Sequence, residues 1–256
     1  MKMERFARVK LDNGNTVYAK VEQGTASLYD SAPWLGGVAD GTSVPLDHTA
    51  LVCPVEPSKI IGIGRNYKDH AKELGHDVPS EPLMFLKPPS ALLAPGGTVL
   101  LPPESQRVDH EGELGVVIGR RCRRVSRADA LEFVFGYTIV CDVTARDLQK
   151  KDGQWARAKG FDGFCPVGPY VVRGVDPAGL GLKVEIGGSL RQNGNTRDML
   201  FGVAELIAHA SAAMTLEPGD LIATGTPEGV GRLLPGDRVL ITIDGLGALE
   251  FDVRAE

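Results

Sequence analysis

The sequence predicts a mainly β (α+β) protein, and three observations carry that prediction. Short β-type runs recur along most of the 256 residues, 32 glycines and 17 prolines punctuate them at turn spacing, and only three segments have helical periodicity. Helices and strands do not alternate regularly, which disfavours a doubly wound nucleotide-binding fold and leaves a sandwich, a roll or a barrel.

At the N-terminus, Phe6–Leu11 and Thr16–Val21 alternate apolar and polar residues around an Asp-Asn-Gly-Asn turn, and the pattern runs on to Leu28 as a hairpin-like module. Residues 30–57 are rich in Gly, Pro, Ser and Asp, and their apolar run from Thr49 to Cys53 closes at Pro54 and Pro57. We therefore expect a small N-terminal β module with its linker over 1–55 and a main domain over 56–256. In that domain, strands are predicted at Ile60–Ile63, Leu83–Leu86, Thr98–Leu101, Leu114–Ile118, Phe135–Cys141, Val167–Val172, Leu182–Ile186, Asp220–Thr224 and Arg238–Ile243, with a last one near Leu249–Val253. Helical spacing occurs at Asp69–Leu74, Arg127–Glu132 and Met199–Met214, the last setting Leu200, Val203, Ala204, Ile207 and Ala210 on one face.

Composition excludes several classes. A net charge of −5 argues against a nucleic-acid partner and against polybasic attachment to a membrane, so the run Arg120–Arg124 with Arg127 reads as a solvated turn. No window approaches the roughly 18 apolar residues of a membrane helix, and Met1–Lys10 has no signal-peptide core, so a cytoplasmic location is expected. Cys53, Cys122, Cys141 and Cys165 are far apart without a CxxC pair, and free thiols are expected.

Two glycine-rich stretches are not nucleotide loops. Gly62-Ile63-Gly64 follows a strand but has Tyr67 where a dinucleotide fingerprint needs glycine or alanine, and Gly225–Gly231 lacks the Lys-Ser/Thr of a P-loop. The most informative segment is Val108–Ile118. Residues two apart on a strand share a face, so Glu111 and Glu113 project together, and they repel unless a cation lies between them. Asp142, at the end of the run Ile139–Cys141, is a third candidate oxygen ligand. Three carboxylates favour a hard cation, Mg²⁺ or Mn²⁺, over zinc; a solvated strand end is the plain alternative, and spacing alone leaves both open. His70 and Glu73 stand at i, i+3, on one face of a helical turn, where a carboxylate would orient the imidazole and raise its basicity; a surface pair fits the same spacing.

Taken in order, the segments 61–73 (IGIGRNYKDHAKE), 85–88 (FLKP), 109–114 (DHEGEL), 142–149 (DVTARDLQ), 159–162 (KGFD), 192–196 (QNGNT) and 224–231 (TGTPEGVG) resemble the fumarylacetoacetate hydrolase family over about residues 59–253. The resemblance implies a mixed β-sandwich roll, a homodimer, and a Mg²⁺ or Mn²⁺ site made by Glu111, Glu113 and Asp142. Residues 1–55 resemble the N-terminal extension of the short bacterial members. Such members act on short 2-oxo acids or their enols through a metal-stabilised enolate. Their reactions are C–C hydrolysis of the acylpyruvate or fumarylpyruvate type, decarboxylation of the oxaloacetate type, or isomerisation of 2-hydroxyhepta-2,4-diene-1,7-dioate (the 5-carboxymethyl-2-hydroxymuconate reaction). Fumarylacetoacetase proper adds an aspartate ligand shortly before the matching histidine, and Ile61–Asn66 has no acid.

By the same resemblance His70 and Glu73 form a base dyad on a mobile lid. Lys159 becomes a cation near the developing oxyanion, Arg146 and Gln149 orient substrate or water, and Thr226 holds the other end of the 2-oxo acid. Lys87 is either substrate-facing or structural. A catalytically silent 2-oxo acid binding protein is the expectation from another class; retention of both His70 and Glu73 argues against it.

Overall fold

The computed structural model describes residues 2–47, 50–73, 75 and 77–256. Thr49, at the head of the expected apolar run, and Leu74, at the end of the first expected helical segment, lie outside the described residues.

A large sheet runs, in spatial order, through Ala39–Pro45, Thr25–Tyr29, Thr16–Glu22, Glu4–Lys10, Cys165–Arg173, Val134–Cys141, Gly112–Ile118, Leu221–Ala223, Ile60–Gly64 and Leu83–Lys87. A second sheet of five strands orders Ser189–Asn195, Gly181–Ile186, Arg238–Ile243, Gly247–Ala255 and Thr98–Leu101. The burial pattern explains the layering. Arg238–Ile243 alternates strictly between buried and more exposed residues, as expected for a sheet with one face on the core, whereas all seven residues of Gly112–Ile118 are buried, as expected for a central strand covered on both faces. Leu114, Val116 and Ile118 pack with Val184, Ile241 and Phe251 of the second sheet, while Val117 packs on the opposite side with Val140, Val167 and Leu221.

The N-terminal strands join this sheet: Glu4, Arg5 and Phe6 pair with Arg173, Val172 and Val171. Ala7, Val9, Ala19, Ala26, Leu28 and Leu51 nevertheless form an apolar cluster of their own.

Four α-helices are present among the described residues: α1 (Lys68–Glu73), α2 (Arg146–Asp152), α3 (Ala156–Gly160) and α4 (Val203–Ala213). The expected Met199–Met214 helix starts only after Gly202, so Leu206 rather than Leu200 joins Val203, Ile207 and Ala210 in its buried stripe. Over the expected Arg127–Glu132 segment only a 3₁₀ turn forms, Ala130–Phe133. The arginine run before it is spent locally: Arg120 pairs with Glu132, Arg121 with Glu217 and Arg127 with Glu205, while Arg123 donates to the carbonyls of Ser211 and Ala212 at the end of α4. None of the described helices is long and apolar enough to cross a membrane.

A small three-stranded sheet, Thr144–Ala145, Val108–His110 and Gly231–Arg232, ties the start of the Glu-x-Glu segment to the foot of α2 and to the 224–231 turn. These contacts place the site.

Candidate active site

Strand register brings the three acids together. Gly112 lies opposite Cys141 and Glu113 opposite Val140, so Asp142 falls opposite Glu111, whose carbonyl accepts from the Asp142 amide at 2.8 Å. With a two-residue period, Glu111, Glu113 and Asp142 then share one face, and one oxygen of each lies within 4.8 Å of the others. All three are buried, at 4%, 1% and 1% exposure.

Cations converge on them from α2, from α3 and, behind Asp142, from Lys87 at the end of the strand Leu83–Lys87. Lys159 on α3 donates to Glu111 Oε2 at 2.8 Å and to Asp142 Oδ2, with its Nζ 5.0 Å from the centre of the Phe85 ring. Arg146 at the start of α2 spreads its guanidinium over Asp109 (3.0 Å), Glu111 (2.6 Å) and Gln149 (2.9 Å). Asp109 is also held by Arg107 through two hydrogen bonds. Burial alone would raise the Glu111 carboxyl, but Lys159 and Arg146 together hold it well below the usual carboxylate range. Burial likewise opposes the charge on Lys159, and Asp142 and Glu111 overcome it and push the ammonium up.

Glu113 is the exception. Its one hydrogen bond is from the Gly225 amide, 2.8 Å from Oε2, and it has no ion pair among the described residues. Burial, with the charges of Asp142 and Glu111 behind it, pushes its carboxyl far up. A Cβ on Gly225 would come within 2.7 Å of Asn66 Cβ, and Gly225 sits at φ +94°, so glycine lets the turn press close enough for its amide to reach Glu113. A buried carboxylate beside two others, with all-oxygen donors, is the group a hard divalent cation would complete; the residues fit one.

His70 on α1 lines the same cavity and is 4% exposed. Its Nδ1 is 3.4 Å from Glu73 Oε2, and both Glu73 oxygens accept from the Gly229 amide, fixing the dyad against the 224–231 turn. Gln149 and Thr226 complete the lining expected from sequence.

Two expectations change. Lys87 does not face the cavity. At 1% exposure it lies behind Asp142, donating to Oδ1 at 2.6 Å and to the Phe164 carbonyl at 2.9 Å, because its strand delivers it to the interior side of the acid. The Thr226 hydroxyl is committed to the protein as well, donating to the Gly112 carbonyl and accepting from Gln192 Nε2, both at 2.8 Å. Several neighbours were not singled out from sequence as site residues. Gln192 is buried between Thr226, the Gly112 amide and His110, and Asn66 bonds the carbonyls of Phe201 and Thr224 and the Phe201 amide. Arg65, Lys150 and Trp155 form the outer part of the cavity. Asp109 carried a signal, an acid standing two residues before Glu111; the others did not.

Residues 59–254 match the family model described as fumarylacetoacetate (FAA) hydrolase C-terminal. The chain belongs to the fumarylacetoacetate hydrolase family, and it is an enzyme fold of that family. An uncharacterised protein of Pyrococcus horikoshii is 51% identical over 208 residues, covering 79% of this chain and 90% of its own. The solved structure of 2-hydroxyhepta-2,4-diene-1,7-dioate isomerase from Mycobacterium marinum is 42% identical, with a TM-score of 0.90 and 99% of both chains covered. That of fumarylacetoacetate hydrolase from Exiguobacterium antarcticum is 36% identical, with a TM-score of 0.86, 99% of this chain and 100% of that one covered.

Proposed function

We propose that the protein is a Mg²⁺- or Mn²⁺-dependent enzyme acting on short 2-oxo acids or their enols, by C–C hydrolysis of acylpyruvates or decarboxylation of oxaloacetate-type acids. The observation that carries this reading is a cavity of about 190 Å³ lined by Glu111, Glu113 and His70, with Asp142 completing the acids behind the first two and Glu73 beside the imidazole. That volume suits a small acid rather than a drug-sized ligand. Glu111, Glu113 and Asp142 would hold the cation, which supplies an electrophile for the 2-oxo and carboxylate oxygens and offsets enolate charge.

The chain's own groups do the rest. His70, oriented by Glu73, takes a proton from water while the water oxygen bonds to the distal acyl carbon. The C–C bond then breaks with its electron pair on the 2-oxo fragment, whose enolate carbon takes up the proton held on His70, returning the imidazole to its starting state. Lys159, reaching over Glu111 and Asp142, adds positive charge beside the developing oxyanion. Gln149, with its oxygen occupied by Arg146, has its amide N–H groups for substrate or water. In decarboxylation CO₂ leaves without a water nucleophile, so the same site needs less from His70.

The likeness to the Mycobacterium marinum isomerase favours a second reading, isomerisation of 2-hydroxyhepta-2,4-diene-1,7-dioate. A panel of oxaloacetate, fumarylpyruvate and a 2-hydroxyhepta-2,4-diene-1,7-dioate, each with and without Mg²⁺ or Mn²⁺, tests both. Metal-dependent loss of the acylpyruvate enol absorbance or of oxaloacetate is expected; turnover of the dienoate alone would replace the first reading by the second. The homodimer expected from the resemblance belongs to this proposal, and sedimentation of the purified protein checks it.

A further inference from the structure

The inner and outer parts of the cavity differ in how their charges are met. Inside, Lys159 and Arg146 are saturated by carboxylates; Arg107, exposed at the rim, is paired with Asp109. At the mouth, Arg65 and Lys150 line the cavity, and neither side chain has a hydrogen bond or ion pair with another described residue. Arg65 is also out of the ordinary in its backbone: a non-glycine residue at φ +56°, in the left-handed region. It is held there by its neighbour. Asn66 is fully buried and makes three side-chain hydrogen bonds, and its own carbonyl accepts from the Leu200 amide. The chain therefore leaves the Ile60–Gly64 strand by a sharp, fixed bend that sets the Arg65 side chain on the cavity wall. Trp155, on the same cavity wall, packs so closely on Gly64 that a Cβ there would lie 2.7 Å from the ring, giving the wall a flat apolar stretch.

We infer that Arg65, assisted by Lys150, is the specificity-determining group that tells 2-oxo diacids from 2-oxo monoacids, holding the terminal carboxylate on its guanidinium while the 2-oxo end lies at the triad. Arginine is suited to this because its planar fork meets a carboxylate with two parallel hydrogen bonds. This inference rests on the 2-oxo acid reading, and its test is chosen to fail separately from it.

The probes are 2-oxoglutarate and 2-oxopentanoate, equal in carbon number and differing in the terminal carboxylate, titrated calorimetrically with Mg²⁺ present. The wild-type protein should prefer 2-oxoglutarate on the order of tenfold or more, the size of a charged hydrogen-bonded contact. In Arg65→Gln and Arg65→Gly the preference should fall to about twofold; the glycine variant relieves the left-handed backbone, so a loss common to both comes from the side chain. A preference that survives in both variants, or a wild-type protein that shows no preference or no 2-oxoglutarate binding, overturns the inference. Turnover of fumarylpyruvate is followed in parallel. No turnover with an Arg65-dependent preference intact removes the catalytic reading and leaves Arg65 as the anion reader; turnover without the preference does the reverse.

Discussion

At the floor of the cavity Glu111, Asp142, Lys159 and Arg146 are at most 5% exposed, and each has an opposite charge within 3.0 Å. At the mouth Arg65 is half-buried and Lys150 exposed, and neither meets such a partner among the described residues. The floor is assembled from strands and helix ends whose burial makes each unpaired charge costly, so it tolerates little change. The mouth hangs on a bend and on the side of α2, where a charge stays solvated until a ligand arrives. One part of the site is therefore fit for chemistry shared across substrates, and the other for telling them apart.

The largest effect should come from the one floor acid that breaks the pairing rule. Glu113→Ala is expected to abolish Mg²⁺-dependent turnover while leaving the metal-free protein at least as stable, because a buried carboxylate without a cation is removed. Calorimetric Mg²⁺ titration and urea unfolding without metal check the two halves; normal metal response would place the cation elsewhere. Next, His70→Ala should lower acylpyruvate hydrolysis by about a hundredfold or more, the usual loss of a general base. It should cost oxaloacetate decarboxylation less and leave 2-oxoglutarate binding nearly intact. Equal losses in both reactions would give His70 a task other than activating water. The smallest effect on chemistry, though not on stability, belongs to Lys87→Met. It strips Asp142 of a buried partner and should reduce unfolding free energy by about 3 kcal/mol, measured by urea denaturation. If it also altered the preference for a terminal carboxylate, the separation of floor from mouth would fail.

Sequence legibility followed the range of the interactions. The long strands were visible because alternation or continuous burial leaves a mark in the residue order, as in Arg238–Ile243 and Gly112–Ile118. Helices α2 and α3 were missed although they carry Arg146, Gln149 and Lys159. At seven and five residues they are too short to establish a helical period, and they form because their side chains are gripped by the acids they face. The strand Ser189–Asn195, which bears Gln192, was missed too; its polar residues pair through the backbone with Gly181–Ile186 and have no apolar rhythm. Lys87 was recognised as part of a motif, yet nothing in the residue order says which side of Asp142 it would approach.

By itself the sequence determined what repeats locally. A two-residue period in extended chain puts Glu111 and Glu113 on one face, and an i, i+3 spacing brings His70 towards Glu73, since both follow from local backbone geometry. Only the tertiary structure decided that Asp142 stands opposite Glu111, that Lys159 reaches both acids from 48 residues beyond Glu111, and that Arg65 meets the cavity with no counter-charge among the described residues. The register of two strands, and the presence or absence of a counter-ion, are set by the summed packing of residues far apart in the chain, and no short stretch of sequence contains that sum.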